Sequence, residues 1–182
     1  MTKTLRRLQQ FAQALQAEVQ SAERLILSEY LDAAQRALFE RMAVSDQRHS
    51  LDLFYALRDA GESDESVLQA ALLHDLGKAD APLRLLHRVI HVVAGKALPG
   101  AWAAFCASPR RDWRHPFYVL ACHAELGAQK ASQAGCSAEV VALIRHHQHP
   151  ITAQVPPSLQ RKLRVLQTAD GERQGIKAAN AG

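Results

Sequence analysis

Apolar residues recur at three- and four-residue intervals along most of this chain. Between residues 4 and 42 the series Leu5, Leu8, Phe11, Leu15, Val19, Ala22, Ile26, Ala33 and Ala37 keeps helical spacing. It predicts one long helix, or two broken near Ser28. Ser45 as N-cap and Gly61 as the residue after the C-cap frame the next helix, and a third runs from Ser63 or Asp64 to Gly77. Pro82 in a first turn and Gly95 frame a fourth. The stretch 95–115, with Pro99, Gly100 and Pro109, predicts a loop holding one short helix around Trp102. Pro116 to Gly135 frames another helix, and Ser137 opens one that Pro150 closes. Pro156-Pro157 opens the last, which runs through Leu159, Leu163 and Leu166 to Asp170. The closing GIKAANAG is expected to fray. No segment alternates with the period of a strand. The expectation is an all-α, single-domain helical bundle, with an N-terminal helical extension over 1–44, the main domain over 45–172 and a tail over 173–182.

Certain polar residues fall where this pattern expects core. The stripe Leu53, Ala56, Leu57 and Ala60 extends back to His49. Leu68, Ala71 and Leu72 lead to Asp75, and Val67, Ala70 and Ala71 to His74. Val119 and Leu120 lead to His123, and Val140, Leu143 and Ile144 to His147 with His146 beside it. Leu159, Leu163 and Leu166 lead to Asp170. Five helices thus each point a His or Asp inward. One such residue is ordinarily a hydrogen-bonded core histidine. Seven together, two of them carboxylates, call for a common partner, since an unsatisfied buried polar group costs about 1–3 kcal/mol. Imidazole and carboxylate are ligands for Mn, Fe, Co, Ni and Zn. Seven candidates leave room for two ions, with Asp75 the natural bridge because its carboxylate has two oxygens.

Composition narrows the field. The chain has 182 residues, 48% hydrophobic and 22% charged, which suits one globular domain. Aromatics are only 5%, which argues against an all-β fold. No apolar run approaches the ~18 residues a membrane helix needs. The start, MTKTLRRLQQFAQ, is basic but lacks an apolar h-region, so the expected setting is cytoplasmic, without a membrane partner. Cys106, Cys122 and Cys136 are odd in number and form no CxxC, so they are expected to be small hydrophobes. The net charge is +4, and it is scattered. Without an aromatic-interleaved basic stripe, nucleic acid is not an expected partner. The nine histidines lie dispersed between residues 49 and 149. Of these, His87 and His91 are expected to pack or hydrogen-bond, His115 to sit in a loop or cap, and His149 to be exposed. Trp102 and Trp113 are expected in packing.

The stretches RHS at 48–50, AALLHDLGKA at 70–79 and QTADGE at 167–172 resemble the H…HD…D signature of the HD superfamily. Its members are all-α and mostly metal-dependent phosphohydrolases. The resemblance implies His49, His74, Asp75 and Asp170 as the signature ligands. HAELGA at 123–128 and RHHQHP at 145–150 resemble the added histidines of members with two or more metals, which implies His123, His146 and His147 for a second ion. That subgroup includes the HD-GYP and related cyclic-dinucleotide phosphodiesterases. Lys78 matches the lysine of their HD-x-G-K motif, near substrate phosphates. No GYP motif follows His146-His147, and Gln148 stands where HD-GYP members have Glu. The likeness is therefore to a small stand-alone bacterial HD-domain protein.

The resulting expectation is hydrolysis of a phosphomonoester or phosphodiester, a nucleotide or cyclic dinucleotide, by water activated on two divalent transition metals. Lys78 and Arg145 would hold the phosphoryl oxygens. Two alternatives stand beside it. One is a di-iron oxygenase of the inositol-oxygenase type. The other is a signalling module that binds metal or nucleotide without turnover. The N-terminal helices are candidates for a dimer face or a lid.

Overall fold

The computed structural model describes residues 21–109, 112–152 and 155–181, with side chains from residue 23 through 171. Among these residues are nine α-helices and no strand. The apolar series at residues 4–20 lies outside the described residues. Helices α1 (Ser21–Tyr30) and α2 (Ala33–Glu40) break at Leu31-Asp32 rather than near Ser28. Ser28 is accommodated within α1, its hydroxyl donating to the Arg24 carbonyl at 2.8 Å. Asp32 starts the new helix through a capping box. Its carboxylate accepts from the Gln35 amide at 2.9 Å, and Gln35 Oε1 accepts from the Asp32 amide.

Helix α3 (Val44–Asp59) begins one residue before Ser45, with Ala43 at its N-cap, and stops at Gly61, whose φ of 84° suits a residue without Cβ. Helix α4 (Glu65–Leu73) starts as the sequence predicts, with Asp64 accepting from Ser66 and Val67 amides. It ends earlier than Gly77. His74 is its C-cap, and the chain then tightens into a 3₁₀ turn over Leu76–Asp80. Helix α5 (Leu85–Ala97) starts after Pro82 instead of around it, and α6 is Pro99–Cys106. The long α7 (His115–Gln133) is followed by α8 (Ala138–His146), where Ser137 Oγ accepts from the Val140 amide. The last helix, α9 (Pro157–Ala181), continues past Asp170, where the sequence reading ended it.

Helix α4 is the axis of the core. Val67, Leu68, Ala70, Ala71, Leu72 and Leu73 are all buried, and α1, α3, α8 and α9 pack around it. Leu27 and Phe39 from the first two helices, and Leu31 between them, share one cluster with Leu51, Leu72 and Leu163, so the described N-terminal helices belong to the main core. Helix α7 lies over the 3₁₀ turn and against α8. The 3₁₀ turn reaches it closely because Gly77 has no side chain: a Cβ there would stand 2.0 Å from the His123 carbonyl oxygen. Gly127 faces Gly77 across the same contact, its would-be Cβ 3.1 Å from the Gly77 nitrogen. Helix α5 differs from the rest. None of its residues is fully buried, and Leu85, Leu86 and Val93 are 60% exposed or more. No helix of the described residues is long and apolar enough to cross a membrane.

Candidate metal centre

Five elements deliver polar side chains to the middle of this apolar bundle. His49 comes from the first turns of α3, His74 and Asp75 from the end of α4, His123 from the middle of α7, His147 from the C-cap of α8, and Asp170 from α9. All six are buried. They form two contiguous groups, His49 with His74 and Asp170, and Asp75 with His123 and His147. Within each group the potential ligand atoms lie within 4.8 Å of one another. The rings run on from one group to the next: His49 to His74 at 5.3 Å, His74 to His147 at 5.1 Å, and His147 to His123 at 5.4 Å between centroids.

Asp75 sits between the groups. Its Oδ2 is 3.5 Å from His74 Nε2 and its Oδ1 is 3.5 Å from His123 Nε2. Asp75 groups with His123 and His147, whereas the signature alone implied it beside His49, His74 and Asp170. Burial pushes its carboxyl up, but the attraction of His74, Lys78, His123 and His49 outweighs this and holds it well below the usual carboxylate range.

The ring orientations are set by backbone. Nδ1 of His74 meets the Ala71 carbonyl at 2.9 Å, Nδ1 of His123 the Leu120 carbonyl at 2.8 Å, and Nδ1 of His147 the Ile144 carbonyl at 2.7 Å. A carbonyl only accepts, so each Nδ1 must carry the hydrogen. In the neutral ring, Nε2 is then a bare lone pair. Burial pushes His123 down to about 3 and His147 down to about 4, so both rings are neutral near pH 7. Nε2 of His74, His123 and His147 and Oδ1 of Asp75 are buried without a hydrogen-bond partner. Four such atoms cost on the order of 4–12 kcal/mol in total, comparable with the whole stability of a small domain. Lys78 donates to Asp75 Oδ2, and His49 Nε2 lies 2.9 Å from Asp170 Oδ1, but the four atoms left over are all acceptors, and a cation is the partner that satisfies acceptors. Histidine ligands whose other nitrogen donates to a carbonyl are the usual arrangement around a bound metal. The residues present fit divalent metal.

Two of the nominated residues are not brought into the cluster. His146 belongs to neither group. It is half-buried at the end of α8, with its ring 6.4 Å from that of His149. Adjacent helical residues diverge by about 100°, so only one of His146 and His147 can follow Val140, Leu143 and Ile144 inward. Arg145 turns to the surface, where its Nε donates to Glu125 at 2.8 Å. It therefore makes no contact with the site as a phosphate-binding group.

A cleft of about 330 Å³ opens on the cluster, lined at its inner end by His49, Asp75 and His123. Lys78 stands in its wall with Nζ 2.6 Å from Asp75 Oδ2. Arg88 and His91 of α5 and Asp46 of α3 also line it. The sequence analysis passed over Asp46 and Arg88. They are 42 residues apart, and Arg88 Nη2 donates to both Asp46 oxygens at 2.9 and 2.8 Å. The available signal was Arg88 three residues before His91, on the inner side of a helix whose outer side is apolar. Trp102 packs on Phe105 and Phe117 as expected, whereas Trp113 is 72% exposed. His87 caps α5, its Nδ1 accepting from the Arg84 amide at 3.1 Å. Set against protein-family models, curated proteins and solved structures, the chain matches none of them.

Proposed function

We propose that this chain is a metal-dependent phosphohydrolase of the HD type, acting on a phosphomonoester or phosphodiester such as a nucleotide or cyclic dinucleotide. The observation that carries the reading is the convergence of six buried His and Asp side chains, four of which (His74, Asp75, His123 and His147) carry a bare acceptor atom, at the inner end of a cleft that also holds cations. His49, His74 and Asp170 would hold one divalent transition metal, and Asp75, His123 and His147 a second, with Asp75 in position to serve both. Metal bound there supplies Lewis acidity toward a phosphoryl oxygen and lowers the pKa of a coordinated water toward 7.

The chain's own contribution is orientation and charge. Three backbone carbonyls fix three imidazoles in the tautomer that presents Nε2, so no reorganisation is required when an ion arrives. Lys78 and Arg88 place positive charge along the cleft, where a phosphate ester gains negative charge during hydrolysis. Lys78 is shared with Asp75, so it retains two N–H donors for an anion. Val92 and Leu120 add apolar wall to the same cleft.

The test is metal analysis of the full chain purified without oxygen, followed by hydrolysis of bis-p-nitrophenyl phosphate and a nucleotide panel with Mn or Fe under nitrogen. Bound metal and oxygen-independent phosphate release are expected. Failure to retain any metal after loading, or turnover that requires oxygen, overturns the reading.

A further inference from the structure

The outer wall of the cleft contains a second set of polar groups, separate from the ligand cluster, and each is held by a neighbour. Arg88 spends only Nη2 on Asp46, which leaves Nε and Nη1 to donate elsewhere. Asp46 is itself buried, so the guanidinium is tethered to a fixed point on α3. His91 lines the same cleft, one turn along α5 from Arg88. Its Nδ1 accepts the indole N–H of Trp102 at 3.2 Å. An indole nitrogen can only donate, so Nδ1 is an acceptor and the proton of the neutral ring resides on Nε2. This is the opposite tautomer from the three inner histidines. The inner rings offer lone pairs and suit a cation. His91 offers an N–H, beside a guanidinium with unused donors, and suits an anion.

We infer that Arg88 and His91 form a phosphate-recognition subsite at the outer end of the cleft, with Asp46 and Trp102 as positioning residues. The inference rests on the reading of the cleft as the site of phosphate ester hydrolysis, and assigns which groups grip the ester's anionic oxygens. Arg88 supplies a charged fork and His91 a neutral donor, while the tethering ensures that neither loses much side-chain freedom on binding. Lys78 lines the same cleft with its Nζ 2.6 Å from Asp75 Oδ2, so a phosphate gripped by Arg88 and His91 shares one cleft with the ligand cluster.

The test uses the full chain loaded with Zn²⁺ and titrated with inorganic phosphate. The chain has two tryptophans, so its indole N–H region contains two resonances, and the one lost in Trp102→Phe is that of Trp102. A saturable shift of that resonance is expected with phosphate. His91→Phe and Arg88→Ala should weaken phosphate by about tenfold or more, the loss expected for a charge-assisted contact. Arg88→Ala leaves buried Asp46 without its cation, so Asp46→Asn with Arg88→Ala serves as the second variant. Trp102→Phe should weaken phosphate severalfold with the melting temperature nearly unchanged, which a purely structural role would not do. Phosphate affinity unchanged in both His91→Phe and the Arg88 variants overturns the inference, while metal content and turnover in those variants leave the hydrolase reading standing. Conversely, Arg88-dependent phosphate binding in a chain that hydrolyses no ester retains the subsite and removes the hydrolase.

Discussion

Gly77 and His123 are in backbone contact: a Cβ on Gly77 would lie 2.0 Å from the His123 carbonyl oxygen and 2.7 Å from its Cα. The contact sets how deeply the turn after Asp75 seats against α7, and therefore the separation of Asp75 from His123. Gly77→Ala must push the two elements apart, because the obstructing atoms are backbone and cannot rotate away. The expected cost is about 1–3 kcal/mol of stability, as for other overpacked sites. Loss of metal from the Asp75, His123 and His147 group should accompany it. Thermal melts and metal analysis of Gly77→Ala check this; wild-type values in both would refute it.

The ligand assignment predicts a sign change on metal binding. In the metal-free chain, His123→Leu removes a buried orphan nitrogen and adds apolar volume, so the melting temperature should hold or rise. In the metal-loaded chain the same substitution should lower it and remove metal. His147→Leu should behave alike. His146→Ala should leave both metal content and melting temperature near wild type, since that ring belongs to neither group. Melting curves with and without chelator decide the matter. A His123→Leu variant that is destabilised equally in both conditions would make this ring an ordinary core hydrogen-bonder.

A pH effect is expected at the start of α4. Burial pushes the Asp64 carboxyl up, but hydrogen bonds from Lys162 and from the Val67 and Ser66 amides outweigh it and hold the group below its ordinary value. A depressed folded-state value means that Asp64 stabilises above its unfolded value of about 3.9, and that this stabilisation is lost as pH falls through the folded value. Asp64→Ala should therefore cost about 1 kcal/mol at pH 7. The gap between the two proteins should close as pH falls through the depressed folded value of Asp64. Urea titrations at several pH values measure it. A gap that persists undiminished into strong acid would exclude the carboxylate as its source.

Helical periodicity made the inner site legible because five buried helix faces each end or break in an inward His or Asp, α4 in both. His49, His123 and Asp170 are found by extending an apolar stripe by three or four residues. The same rule distinguishes His147 from His146 when it is applied strictly, since 147 follows 143 by four and 144 by three. The end of α4 was not legible. Leu68, Leu72 and Leu76 keep helical spacing past Leu73, so nothing in the periodicity marks the tightening into a 3₁₀ turn, which packs closely on α7 at Gly77. Arg145 is expected beside Lys78 at the phosphoryl oxygens, but its position on α8 turns it to Glu125. Asp46 and Arg88 went unnoticed because a pair 42 residues apart leaves no local pattern.

The two ends of the cleft differ in how far a point mutation can disturb them. At the inner end, the acceptors that orient His74, His123 and His147 are carbonyls of Ala71, Leu120 and Ile144. Every amino acid, proline included, carries that carbonyl. No single substitution can delete it, and each ring is aimed by its own helical turn. At the outer end, Arg88 and His91 are aimed by the side chains of Asp46 and Trp102, and one codon change removes either. The histidine geometry is thus robust to sequence drift, while the donors facing an incoming ligand can be retuned one residue at a time. A chain built this way can change what it accepts without rebuilding the centre on which its chemistry would depend.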